Sequence, residues 1–338
     1  MVQIGIIGAG RIGQVHMRGI ASGVPNAVIR SLADPMISPE AEQLARSIGV
    51  SQIVSNYHDI IDDPKIDAIL ICSPTDLHAK ISIEAIHAGK HVFCEKPVDH
   101  ELARIAQVES ALKSSGKNLK YQVGFNRRYD HNFRALRQAV LDGKIGDVQF
   151  VRVSSRDPKV PHAGFVQSSG GLFLDMMIHD LDMIRYLSGS EVVEVFARGA
   201  VLIDPAIGEA GDVDTATVSA TMANGALALI DNSRQAVYGY DQRAEVFGSK
   251  GCVQNGNDLP STMVLSTVDG IVSEKPLWFF LERYMASYQA EVCSFVDSIV
   301  NDTDTEVGIA DGRRTIQLAL ACKKSMDENR PVRIDEND

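Results

Sequence analysis

The segment that most restricts this chain is Gly8-Ala9-Gly10-Arg11-Ile12-Gly13, which follows the apolar run Gln3–Ile7 directly and leads into an amphipathic stretch at Ile12–Ala21. Glycine at 8 permits a turn that other residues resist. Glycine at 10 lets an anion approach the backbone, and glycine at 13 lets the following helix pack closely on the strand. The helix start then offers unpaired N–H groups and the positive end of its dipole. A GxGxxG string alone is a weak signal, and an ordinary glycine turn is the competing reading. Between a strand and a helix the string predicts the first turn of a Rossmann-type dinucleotide site, with Arg11 and Ile12 as neighbouring cofactor contacts.

The surrounding pattern agrees. Short apolar runs at Val28–Ala33, Ala68–Cys72, His91–Cys94 and Tyr121–Val123 alternate with amphipathic stretches at Pro39–Ser47, Ala79–Ala88 and Glu101–Ser114. Strands that are apolar throughout need cover on both faces, which crossover helices supply. Residues 1–123 therefore predict an α/β Rossmann domain with a parallel sheet and right-handed connections.

Beyond a helix at Asn132–Leu141, longer β-rich runs take over: Asp147–Ser155, Val192–Ile203, Thr215–Met222, Ala226–Ser233, Arg243–Phe247 and Cys252–Gln254. Asn224-Gly225, between two of them, is a hairpin signal. Helices are expected at Asp175–Leu187, Glu282–Val300 and Val307–Glu328. Residues 124–338 thus predict an α+β domain with a mostly antiparallel open sheet and helices on one face. The other face needs cover, since Val195, Ala197, Val218 and Ala220 would otherwise be wet. A sheet-to-sheet contact between copies, in a homodimer or homotetramer, is the simple solution.

Composition narrows the partners. A net charge of -11 gains nothing from nucleic acid or an anionic membrane surface, so a small molecule is the expected partner. No apolar run approaches the roughly 20 residues that span a bilayer, and the N-terminus lacks the features of a secretory signal. The five cysteines, Cys72, Cys94, Cys252, Cys293 and Cys322, are odd in number and lie among apolar neighbours. They read as reduced core residues of a cytoplasmic protein. Neither they nor the dispersed histidines show ligand spacing, so no metal is expected.

Several polar residues fall where a dinucleotide would lie. Asp34 closes the second strand about 20 residues beyond the glycine turn, where a carboxylate accepts both adenosine ribose hydroxyls and repels a 2′-phosphate. That favours NAD over NADP, against the plainer reading of a helix-capping aspartate before Pro35. Ser73-Pro74-Thr75-Asp76-Leu77-His78 follows the strand Ala68–Cys72, at the sheet edge where ligands of open α/β sheets bind. Ser73, Pro74, Thr75 and His78 are cofactor-side candidates there, although His78 more naturally enters the next helix.

The next strand ends in Cys94-Glu95-Lys96-Pro97. An ammonium at that edge can hydrogen-bond a reacting hydroxyl and stabilise a developing alkoxide, with Glu95 orienting it or capping locally. In the second region, a helix over Asp175–Leu187 would put Asp175 and His179 on one face, four residues apart. Histidine titrates near neutrality and can accept a proton as hydride leaves the same carbon. Asp175 could hold a vicinal hydroxyl. A capping aspartate beside a satisfied core histidine is the alternative.

Gly8–Gly13, Glu95-Lys96-Pro97, Gly124-Phe125-Asn126-Arg127-Arg128-Tyr129-Asp130 and the Asp175/His179 helix together resemble the glucose-fructose oxidoreductase/inositol dehydrogenase/rhizopine catabolism family over essentially the whole chain. The resemblance, nearest to the inositol dehydrogenase members, implies hydride transfer between nicotinamide and a cyclitol or sugar hydroxyl carbon. It implies Lys96 as catalytic lysine, Asp175 as substrate-binding aspartate, His179 as general base and a cis Pro97. Tyr238-Gly239-Tyr240-Asp241-Gln242-Arg243 resembles a loop that such enzymes place near substrate, which makes Tyr240 a secondary candidate for substrate contact, with an aromatic of an ordinary hairpin as the equal alternative. Arg127 and Arg156 are candidate polyol or cofactor-side contacts, with plain surface charges as the equal alternative, and His162, in the loop before the Asp175/His179 helix, is a candidate to face substrate. Met176-Met177 stand where myo-inositol enzymes often carry small polar residues, which leaves scyllo-inositol or an aldose open. An NADPH-directed reductase is opposed by Asp34, and a noncatalytic NAD sensor would not need Lys96 with Asp175 and His179.

Overall fold

The computed structural model describes residues 1–337, apart from the side chains of residues 163, 167, 336 and 337. Its elements run β1 (Val2–Ile7), α1 (Arg11–Gly23), β2 (Ala27–Ala33), α2 (Pro39–Ser47), β3 (Gln52–Val54), α3 (His58–Ile61), β4 (Ala68–Ile71), α4 (His78–His87), β5 (His91–Glu95), α5 (Leu102–Ser114) and β6 (Tyr121–Gly124). They continue with α6 (His131–Leu141), β7 (Val148–Arg156), α7 (Ala163–Ser169), α8 (Leu172–Asp175), α9 (Ile178–Ser188), β8 (Val192–Ala200), α10 (Pro205–Glu209), β9 (Thr215–Met222), β10 (Leu227–Ser233), β11 (Asp241–Gly248) and β12 (Gly251–Gln254). The hairpin β13 (Val264–Thr267) and β14 (Gly270–Ser273), the helices α11 (Phe280–Arg283), α12 (Met285–Val300) and α13 (Ile309–Glu328), and the strand β15 (Val332–Arg333) complete the chain. Among the described residues, no helix is long and apolar enough to cross a membrane.

The contacts divide the chain into two units, Met1–Tyr129 with Met285–Ile316, and Asp130–Tyr284 with Gln317–Asp338. In the first, a six-stranded sheet of order β3-β2-β1-β4-β5-β6 is parallel throughout. The order reverses direction beside β1, the place where such sheets open a crevice beyond their carboxyl ends. All four residues of β4 are buried, as strands covered on both faces must be. Met17 of α1 packs with Ile4, Ile6, Leu32, Leu70 and Phe93 of the strands, and Val292, Phe295 and Val296 of α12 join the same cluster. A helix from late in the chain therefore completes the first core, which a single linear boundary at residue 123 does not anticipate.

The second unit has a seven-stranded sheet of order β12-β11-β7-β10-β9-β8-β15, antiparallel except for the β7–β10 pair. The Asn224-Gly225 turn closes β9 onto β10, with Gly225 at φ +88° and Leu227 opposite Thr221. Val195, Ala197 and Val218 have no exposure and Ala220 only 3%, so these four are not the wet face. They point to the covered side, where the Ala197 amide also donates to Ser325 Oγ. The opposite side carries the other alternation, including exposed Leu227 and Phe247.

Two further expectations are corrected. The helix expected over Asp175–Leu187 is broken: α8 ends at Asp175 and α9 begins at Ile178. The amides of Met176 and Met177 both bond the Leu172 carbonyl, and the His179 amide turns to the Met176 carbonyl instead of that of Asp175. Cys252 lies exposed on the edge strand β12, whereas Cys72, Cys94 and Cys322 are buried thiols.

Candidate active site

The glycine turn has the constraints its sequence implies. Gly8 sits at φ +102°, and a Cβ there would fall 2.4 Å from the Cys72 carbonyl oxygen. At Gly13 a Cβ would fall 2.0 Å from the Gly8 carbonyl oxygen, so neither position tolerates a side chain. Gly10 faces open space, with nothing within 4 Å of the corresponding point. It caps α1 without a side-chain hydrogen bond, and no acidic residue occupies the first turn. The helix start is thus sterically and electrostatically prepared for an anion.

Asp34 extends this site from the end of β2. Its Oδ2 accepts from the Ala9 amide at 2.7 Å and its Oδ1 from the Met36 amide at 2.8 Å. The carboxylate holds the glycine turn, and an acidic acceptor at the end of the second strand fits a dinucleotide. Arg11 and Pro74 are exposed, while Ile12, Ser73 and Thr75 are half-buried around the same strand ends. His78 behaves differently. It is 2% exposed, and both ring nitrogens face backbone carbonyls, so its ring turns into the protein.

Lys96, half-buried, follows β5, and its peptide bond to Pro97 is cis, as the family resemblance implies. The preceding Glu95 is an internal strut. Its Oε1 meets His16 Nε2 at 2.6 Å, and its Oε2 accepts from the Lys96 amide at 3.2 Å. Gly124 on β6 leaves room for this carboxylate: a Cβ there would be 3.0 Å from Oε2. Glu291 of α12 approaches the same place: one of its carboxylate oxygens, a ring nitrogen of His16 and a carboxylate oxygen of Glu95 all lie within 4.8 Å of one another. Burial, and then the charge of Glu95, hold the Glu291 carboxyl well above the usual carboxylate range.

His16 and Glu291 escape a reading that follows motifs. The available signal is an ionisable residue inside an apolar stripe: His16 shares the buried face of α1 with Gly13, Met17 and Ile20, and Glu291 that of α12 with Tyr288, Val292 and Phe295.

In the second unit, Asp175 and His179 are both half-buried. Asp175 Oδ2 accepts from Arg234 Nη1 at 3.2 Å. Arg234, just beyond β10 and 2% exposed, is another residue the motifs miss; its Nε and Nη2 meet no acceptor among the described residues. Met176 and Met177 are buried core residues.

Arg156 is held by Asp231 at 2.6 Å, with Tyr238 and Asp241 nearby, so its charge is committed within the sheet. His162 is exposed and caps α7 by accepting from the Phe165 amide at 3.1 Å. Tyr240 is buried, edge-on to Phe279 and Tyr284. Arg127, in the first unit, is buried as well.

Known proteins share this plan. The profile of an oxidoreductase family with an NAD-binding Rossmann fold matches residues 2–125, and that of the GFO/IDH/MocA C-terminal domain matches residues 133–254. An uncharacterized oxidoreductase of Bacillus subtilis is 46% identical, over 99% of this chain and 97% of that protein. A myo-inositol 2-dehydrogenase of Thermotoga maritima is 43% identical, over 99% of each chain. The crystal structure of scyllo-inositol dehydrogenase from Lactobacillus casei with bound NAD(H) and scyllo-inositol superposes with a TM-score of 0.91 at 32% identity, covering 99% of both chains. With both profiles matched in order and relatives aligned end to end, the chain belongs to the glucose-fructose oxidoreductase/inositol dehydrogenase/rhizopine catabolism family of NAD-binding oxidoreductases.

Proposed function

We propose that this chain is an inositol 2-dehydrogenase, oxidising one ring hydroxyl of myo- or scyllo-inositol to the ketone. The observation that carries this reading is the 43% identity, spanning both chains, with an enzyme named for that reaction. The fit of the N-terminal unit to a dinucleotide supports it: a bare helix start, an open Gly10 and a carboxylate at Asp34. Bound NAD+ supplies the hydride acceptor.

The protein's own groups then have distinct tasks in the proposal. His179 takes the hydroxyl proton, Lys96 steadies the negative charge growing on that oxygen, and Asp175 holds a neighbouring hydroxyl. Arg234 keeps Asp175 in place. Discrimination among polyols follows from which ring hydroxyls these groups satisfy, because an unpaired polar group buried in the site is costly. The test compares initial rates with NAD+ on myo-inositol, scyllo-inositol, D-chiro-inositol, glucose and xylose, repeated with NADP+. Cyclitol turnover with NAD+ is the expected result. Turnover of the aldoses alone would replace the cyclitol reading with a sugar dehydrogenase of the same family.

We also infer self-association through the exposed side of the second unit's sheet. Leu227, Phe150 and Phe247 stand opposite one another across β10, β7 and β11, forming an apolar row on that side. Such a row gains from cover by a second copy.

A further inference from the structure

His78 begins α4, yet its side chain belongs to two turns at the strand ends. Nδ1 lies 2.7 Å from the Pro97 carbonyl oxygen, and Nε2 lies 2.8 Å from that of Ser73. A carbonyl oxygen can only accept, so each contact requires an N–H. A neutral imidazole has one. Either neutral tautomer would aim a nitrogen lone pair at an oxygen lone pair inside a site that water barely reaches. Both separations also match charge-assisted N–H···O bonds.

Of the other neighbours, Cys94 acts in the same direction. Cys94 of β5 donates its thiol hydrogen to the Glu95 carbonyl at 3.3 Å, so its electron-rich sulfur adds no competing donor near the ring. Beside Cys94 is Tyr121 of β6, whose hydroxyl pairs with Ser82 of α4 at 3.0 Å. Burial opposes a charge on His78. Cys94 and the carbonyls of Pro97 and Ser73 outweigh it, lifting the imidazole to about 9.

We propose that His78 is an imidazolium at neutral pH and works as a positioning residue, its two N–H bonds joining the Ser73–Thr75 turn to the turn that carries Lys96. The two turns leave neighbouring strands, β4 and β5, and each holds residues assigned to the cofactor or the chemistry. A ring that lost its proton would release one carbonyl and let the turns drift apart. The sign follows: the clamp is complete below the ordinary histidine range and fails as pH rises through about 9. The catalytic consequence rests on the role of Lys96 proposed above; the charge state does not.

The test therefore has two arms. In the first, the full chain carrying ring-15N histidine is sedimented and examined by magic-angle-spinning NMR, with the His78 signals identified by their loss in His78→Gln. Two protonated nitrogens at pH 7.5, persisting until the pH approaches 9, are expected; a neutral tautomer at pH 7.5 overturns the proposal. In the second arm, His78→Gln keeps a donor but no charge. Its kcat should fall by about tenfold, with the Michaelis constant for NAD+ changing far less, and its alkaline loss of activity should shift. A variant with wild-type kcat and pH profile overturns the positioning role. Absence of polyol turnover by the wild-type enzyme would instead remove the functional reading, while the NMR arm still decides the charge.

Discussion

His16 Nε2 lies 2.6 Å from Glu95 Oε1, a buried pair that joins the middle of α1 to the end of β5 across 79 residues of sequence. The same carboxylate receives the Lys96 amide, so the helix behind the glycine turn and the lysine proposed to act in the chemistry share one support. Removing one member of a buried pair leaves the other without compensation. Glu95→Ala should therefore cost on the order of 3 kcal/mol, read as a lower urea midpoint. Turnover should fall in the variant even where it remains folded, because the Lys96 turn loses its anchor. A midpoint and a kcat both at wild-type values would contradict this.

Glu291 gives a pH prediction of definite sign. Its carboxyl is raised in the folded protein, first by burial and then by the charge of Glu95. The native state thus keeps a proton that the unfolded chain releases in the ordinary carboxylate range. The contribution is complete below that range and shrinks as pH rises above it. Glu291→Gln preserves shape and neutrality without a titrating group. Its stability relative to wild type should improve between pH 5 and pH 8, measured by urea unfolding at both values. A difference that stays constant across that window would mean that the native carboxyl already ionises normally.

Asp34 is the residue proposed to favour NAD over NADP. Its carboxylate is partly engaged in holding the Ala9 amide, and its charge repels a 2′-phosphate. Asp34→Ala should weaken NAD binding on the order of tenfold, the cost of losing hydrogen bonds to a charged acceptor. NADP should lose less, which narrows the gap between the two. Titration of both dinucleotides checks this, and unchanged NAD affinity in the variant would remove Asp34 as the ribose partner.

Arg234 and Asp175 form the corresponding pair in the second unit. Arg234→Gln removes a charged partner from Asp175 without touching the groups assigned to hydride or proton transfer. The Michaelis constant for the polyol should rise about tenfold while kcat changes less, since binding rather than chemistry is disturbed. An equal loss in kcat with an unchanged Michaelis constant would place Arg234 in the chemical step.

Local patterns made much of this architecture legible. The alternation of apolar runs and amphipathic stretches reveals the parallel sheet, and Asn224-Gly225 reveals the β9–β10 hairpin. What stayed hidden depends on distant packing. Three residues of β3 are too few for a visible period. The break between α8 and α9 leaves no mark because Leu172–Leu187 is apolar on both sides of it. Nothing near Met285 announces that α12 completes the first core. The same distinction governs the site: glycines and the Glu95-Lys96-Pro97 run are motifs, whereas His16, His78 and Glu291 owe their roles to neighbours far along the chain.

The apolar row across β10, β7 and β11 tests the inferred association. Phe247 is 46% exposed and Leu227 is 52% exposed, and the register sets Phe150 between them. Each belongs to the alternation opposite the one buried under the helices, so a charge placed there has little effect on the unit's own core. Phe247→Asp should therefore keep its circular dichroism and thermal midpoint at low concentration. An oligomer closed through this row would bury that carboxylate and its symmetry mate in an apolar contact, a costly arrangement that favours smaller species. Sedimentation velocity of the two proteins decides the matter: a lower mass for the variant is expected, and an identical mass distribution would show that copies do not meet through this row.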